Sequence, residues 1–136
     1  MPSTRLPSAA GCTVIDAGRD WDAVRVPRSV GVDAMTILGT RCGAVVEDPL
    51  CEAVYYFVPV GTAAVWDVPT TRALGAGASV TIPPPRRTDG AGPHWRICPG
   101  DGSWLTDPQA LQAALEDAIP ARAVVVLEGA GDDGAA

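Results

Sequence analysis

The sequence has no lysine and no asparagine; its ten basic side chains are all arginine, beside a single histidine. With alanine, glycine and proline abundant, this bias reads as high-GC coding, so an isolated arginine says little about a chosen guanidinium role. No apolar run approaches the length of about 18 residues that crosses a bilayer, which excludes a membrane-spanning helix. The opening MPSTRLPSAAGC lacks the apolar core of a secretory signal, and the chain reads as cytoplasmic. The four cysteines, Cys12, Cys42, Cys51 and Cys98, form no CxxC pair. In a reducing compartment they read as small buried hydrophobes. Cys42, Cys51, His94 and Cys98 offer a nominal zinc set, but the Cys42–Cys51 spacing is too wide for a knuckle, so no metal and no cofactor are expected.

The charge that is present is unevenly placed. Residues 1–100 hold nine arginines against nine acids, and residues 101–136 hold one arginine against seven, so the net −6 belongs to the C-terminal part. A binder of duplex nucleic acid shows a basic face, and none is evident. At 136 residues the chain suits one domain with its own core. The expected organisation is a disordered stretch over 1–10, a single α+β domain over 11–127, and a disordered acidic tail over 128–136.

Short β-branched and aromatic runs closed by turn residues predict strands at Cys12–Asp16, Trp21–Val26, Gly43–Glu47, Ala53–Val58, Ala78–Ile82 and His94–Cys98. Residues Pro49–Glu52 read as a hairpin turn between two of these, and Ala78–Ile82 is expected to pair with His94–Cys98 across the polar Arg86–Pro93 loop. The Gly75-Ala76-Gly77 step lacks the third glycine and following helix of a dinucleotide loop, and reads as a tight turn or bulge. Gly61–Asp67 suits one helical turn, with Trp66 folding back as an apolar cap.

Helical spacing appears twice. Val30, Ala34, Ile37 and Leu38 recur at three to four residues, with Ser29 as N-cap and Gly39 as stop. Thr106–Ile119 shows an apolar stripe of Leu111, Ala114, Leu115, Ala118 and Ile119, a Thr106–Gln109 capping box, and Pro120 as terminator. Ala123–Leu127 reads as a further extended run. The expected fold class is α+β: a mainly antiparallel sheet of about five strands with two helices packed on one face.

Candidate sites are few. Arg86, Arg87, His94, Trp95 and Arg96 form a basic–aromatic cluster that would stack on and neutralise a nucleotide or a single strand. The competing reading makes Trp95 core and the arginines a solvated rim. Trp66 joins the tentative binding residues, because an exposed tryptophan marks a binding face. Ser29, Ser79 and Ser103 sit in no nucleophile-elbow context beside His94.

The order Trp21-Asp-Ala-Val-Arg-Val-Pro27, Tyr55-Tyr-Phe-Val-Pro59, Gly75-Ala-Gly77, Val80-Thr-Ile-Pro-Pro84 and Trp95 resembles the C-terminal half of the bifunctional primase–polymerase domain of actinobacterial proteins, a branch of the archaeo-eukaryotic primases. The resemblance runs from Val14 to Ala118. It implies descent from a two-metal nucleotidyltransferase, which holds divalent ions on carboxylates sharing one strand face. Here the nearest acids, Glu47 and Asp48, are adjacent and point to opposite faces of a strand. Ala53-Val54 stands where that family carries a histidine before the aromatic strand, and the half expected to hold the template is not represented. The resemblance therefore implies a catalytically inactive derivative. The function expected is a non-catalytic, regulatory protein–protein interaction module that binds a protein partner or itself. The alternative is a nucleotide- or single-strand-binding remnant using Arg86, Arg87, His94 and Arg96.

Overall fold

A computed structural model describes residues 11–100 and 104–130, with side chains described through Ile119. In chain order the elements are β1 (Thr13–Asp16), β2 (Asp22–Pro27), α1 (Arg28–Leu38), a 3-10 turn (Gly39–Arg41), β3 (Val45–Asp48), β4 (Ala53–Val58), α2 (Thr62–Val65), β5 (Arg72–Leu74), β6 (Ser79–Ile82), β7 (His94–Ile97) and α3 (Pro108–Ala130). The class is α+β. A five-stranded antiparallel sheet runs in the order β5-β2-β4-β3-β7, and β1 and β6 form a separate two-stranded sheet.

Strand alternation sorts the apolar side chains into two cores, one on each face of the large sheet. Val24, Val26, Val45, Val54, Tyr56 and Val58 meet α1 and α3 on the helical face. On the opposite face Ala23, Val46, Phe57 and Trp95 meet Trp21 and the small sheet, through Val80 and Ile82. The central strand β4 contributes to both, which explains its unbroken apolar run.

The helices sit where the apolar stripes require. Val30, Ala34 and Leu38 are the buried positions of α1. A Cβ built on Gly31 would lie 2.1 Å from Val54 Cγ2, so only glycine lets α1 approach β4 this closely. Tyr56 completes the contact by donating its hydroxyl to the Gly31 carbonyl at 2.6 Å. Burial raises the Tyr56 phenol well above its ordinary pKa, so it remains a donor there.

The hairpin across Pro49–Glu52 forms in register, with Asp48 opposite Ala53. The Gly75–Gly77 step is a tight turn, with Gly77 at φ 94 and the Ala78 N–H on the Gly75 carbonyl at 3.0 Å. Several sequence expectations differ from the structure. β6 pairs with β1 and β7 pairs with β3, so the expected second hairpin does not form. Pro83–Pro85 cannot continue a ladder, and the chain leaves the small sheet there to reach the edge of the large one. β5 was hidden in the connector and takes the opposite edge, pairing with β2.

Helix starts differ as well. α1 begins straight from Pro27 with no side-chain cap, so Ser29 is not its N-cap. Asp107, not Thr106, caps α3, its Oδ2 accepting the Ala110 N–H at 2.9 Å. Thr106 instead is buried and accepts the Gly43 N–H at 2.8 Å. α3 continues past Pro120 and through 123–127, where an extended run was expected. An α-helix can retain its other hydrogen bonds around one missing N–H. The expectation for 1–10 lies outside the described residues, as does that for 131–136, while residues 128–130 of the expected disordered tail belong to α3. Among the described residues no helix is long and apolar enough to cross a membrane.

Candidate functional site

The last residues of β3, the first turn of α1 and β7 converge on one carboxylate. Glu47 shares the helical face of β3 with Val45, two positions earlier, and its side chain is only 4% exposed. A lone buried carboxylate is costly, and three bases offset that cost. Arg28 donates its Nε to Glu47 Oε2. Arg96 donates Nη1 to Oε1 at 3.2 Å, and His94 Nε2 lies 3.4 Å from the same oxygen. Burial opposes ionisation of Glu47, but the Arg28 hydrogen bond and charge, with Arg96 and His94, outweigh it and hold the carboxyl below its ordinary range.

Local backbone features explain the convergence. Val46 pairs with Trp95 and Val45 with Ile97, leaving Arg96 as the extra residue of a bulge. Alternation along β7 turns His94 and Arg96 toward Glu47 while Trp95 stays on the other face. His94 is buried, with Nδ1 2.9 Å from the Gly92 carbonyl. Its Nδ1 thus faces the Gly92 carbonyl and its Nε2 faces Glu47, so both ring nitrogens are engaged within the protein. The four side chains line a cleft of about 700 Å³ that is also bordered by Ser29, Glu52, Thr88 and Asp89.

A second concavity, about 500 Å³, lies on the opposite face of the large sheet. Ile15 of β1, Ile82 of β6, Pro83–Pro85, Trp95 and Trp104 form its walls, with Arg86 among the lining residues. Behind it the aromatic rings are interlocked edge to face: Trp95–Trp104 at 5.3 Å, Phe57–Trp104 at 5.4 Å and Trp21–Phe57 at 4.8 Å.

The structure divides the basic–aromatic cluster seen in the sequence. His94 and Arg96 belong to the Glu47 cleft, whereas Trp95 and Arg86 belong to the groove. Arg87 points toward Cys12, with Nη1 3.8 Å from the sulfur. Trp66 is remote from both, donating its indole N–H to Thr71 at 2.9 Å and packing on the helical-face core as an apolar cap. None of the four cysteines is in a disulfide, and among the described residues no three His, Cys, Asp or Glu side chains are grouped to hold a metal ion.

Sequence reasoning missed Arg28 and the part played by Glu47. The available signal was a conflict: an arginine in the first turn sits against the positive end of its own helix and calls for an acid elsewhere. Asp48 turns away from Glu47, its Oδ1 accepting the Leu50 N–H at 3.2 Å inside the hairpin turn. No family model matches this chain, and neither do any curated proteins or solved structures.

Proposed function

We propose that this chain is a non-catalytic, cytoplasmic interaction module of primase–polymerase-like ancestry, which receives an extended apolar segment of a partner protein in the groove beneath Trp95 and Trp104. The observation that carries the reading is the groove itself: proline, isoleucine and tryptophan walls with one arginine at the margin. Such surfaces suit an extended peptide, because flat rings and prolines offer apolar area at little entropic cost. β1 pairs only with β6 among the described residues, so its outer edge is open to a further strand. Arg86 selects for a carboxylate on the incoming segment.

The acids support the non-catalytic half of the reading. Glu47 is taken up by Arg28, Arg96 and His94, and Asp48 by its own turn, so the two do not converge on a shared ion. Phosphoryl-transfer catalysis of the two-metal kind requires such convergence.

The test follows tryptophan emission while apolar, proline-containing peptides with and without one glutamate are added. Saturable change favouring the glutamate peptide, lost in Arg86→Glu, supports the reading. Indifference to every peptide, or nucleotide incorporation with magnesium, overturns it. A concentration-dependent mass without any peptide identifies a second copy as the occupant.

A further inference from the structure

We propose that the cleft around Glu47 binds a small oxyanion, the phosphate or carboxylate group of a compact ligand, on Arg28 and Arg96. This site is independent of the groove and lies on the other face of the sheet. At its floor two guanidinium groups face one buried carboxylate, an excess of one positive charge. The donors are not exhausted by that acid. Arg28 engages Glu47 through Nε, and its terminal nitrogens have no partner among the described residues. Arg96 engages it through Nη1, which leaves Nη2.

Glu47 acts as a positioning group. A surface arginine loses rotamer entropy when it grips an anion, and one already fixed by a buried carboxylate has lost much of it beforehand. Two guanidinium forks held by a common acid therefore present planar donors at a fixed spacing, which suits the paired oxygens of phosphate or carboxylate. Side-chain exposures of 53% for Arg28 and 36% for Arg96 leave both accessible from the cleft. The uncapped first turn of α1, with no acid in it, adds to the positive field.

Two further charges define what is refused. Glu52 and Asp89 stand exposed at the rim. They repel any anion that enters the cleft, and a long polyanion lying across the rim far more than a compact one with one or two charges. The ligand class is thus a compact phosphate or carboxylate compound, and a strand of nucleic acid is disfavoured.

Thermal melts and calorimetry of the full chain at low ionic strength test this, with inorganic phosphate, succinate and a single-stranded oligonucleotide in separate arms and chloride as control. A saturable shift with phosphate or succinate, beyond the chloride effect, is expected, and the stronger arm names the source. Arg28→Lys and Arg96→Lys keep the charge and a partner for Glu47 but lose the fork, and each is expected to weaken binding about ten-fold. Should either variant fail to fold, the Nε–H signals of Arg28 and Arg96 in the native protein serve instead, and must move on anion addition. A shift no larger than chloride gives, one unchanged in both lysine variants, unmoved arginine signals, or tighter binding of the oligonucleotide than of either small anion would each overturn the proposal.

Discussion

Arg96 reaches Glu47 at 3.2 Å across the β3–β7 pair, from a residue that the ladder skips. Its neighbour Trp95 faces the opposite core, so one edge strand serves two surfaces. The Glu47 cleft and the tryptophan groove are back to back on the same edge strand.

Glu47→Gln removes the charge and keeps the shape. The unfolded chain titrates this carboxyl near its ordinary value of 4.5, and the folded chain below it. The stabilisation is therefore fully present above about pH 4.5 and is lost as pH falls through the lower folded value. Denaturant melts should show Glu47→Gln to be less stable by roughly 2 kcal/mol at pH 7, with a flatter stability profile between pH 5 and pH 3. Equal slopes in the two proteins would show that Glu47 is not depressed.

Gly31→Ala should be among the costliest single changes. The new methyl would meet Val54 Cγ2 at 2.1 Å and drive α1 off β4, with loss of the Tyr56 hydrogen bond. Overpacking of this kind costs about 1–3 kcal/mol. Adding Val54→Ala should restore part of it, and a strictly additive double mutant would show the contact to be absent.

Thr106→Val deletes the acceptor of the Gly43 N–H while conserving volume. A buried donor left unpaired costs about 1–3 kcal/mol, and Thr106→Ser should recover most of it. Urea midpoints of the two variants make the comparison.

Cys42 should react more slowly than Cys51 and Cys98. Burial pushes its pKa up to about 11, only partly offset by Thr106, whereas Cys51 and Cys98 are exposed. Single-cysteine variants treated with an aromatic disulfide at pH 8 should rank Cys42 behind Cys51 and Cys98, and labelling as fast as theirs would place it at the surface.

The fold was largely legible because its patterns are local. The apolar period of Val30, Ala34 and Leu38 marked α1, and the run Ala53–Val58 marked a strand buried on both faces. Partner choice was not legible. Nothing in Ser79–Ile82 distinguishes β1 from β7 as its neighbour, because pairing is decided by which loop can cross between layers. Pro120 read as a stop because proline usually breaks helices, yet α3 runs on.

The candidate site was legible in part. His94 and Arg96 drew notice through their charge and their tryptophan neighbour. Arg28 was missed because the contact with Glu47 spans 19 positions in sequence and depends on the start of α1 meeting the end of β3. Arg86 and Trp95 looked like one cluster with His94, since adjacency in sequence hides the alternation that sends neighbours to opposite faces.

Amide chemical-shift mapping of the native protein during addition of a proline-containing apolar peptide bearing one glutamate tests the interaction reading most directly. The account predicts saturable movements concentrated at Ile15, Ile82, Trp95 and Trp104, larger and saturating at lower peptide concentration than any at Arg28 and Glu47. Movements centred on Glu47 instead, or none at any peptide concentration, would contradict it.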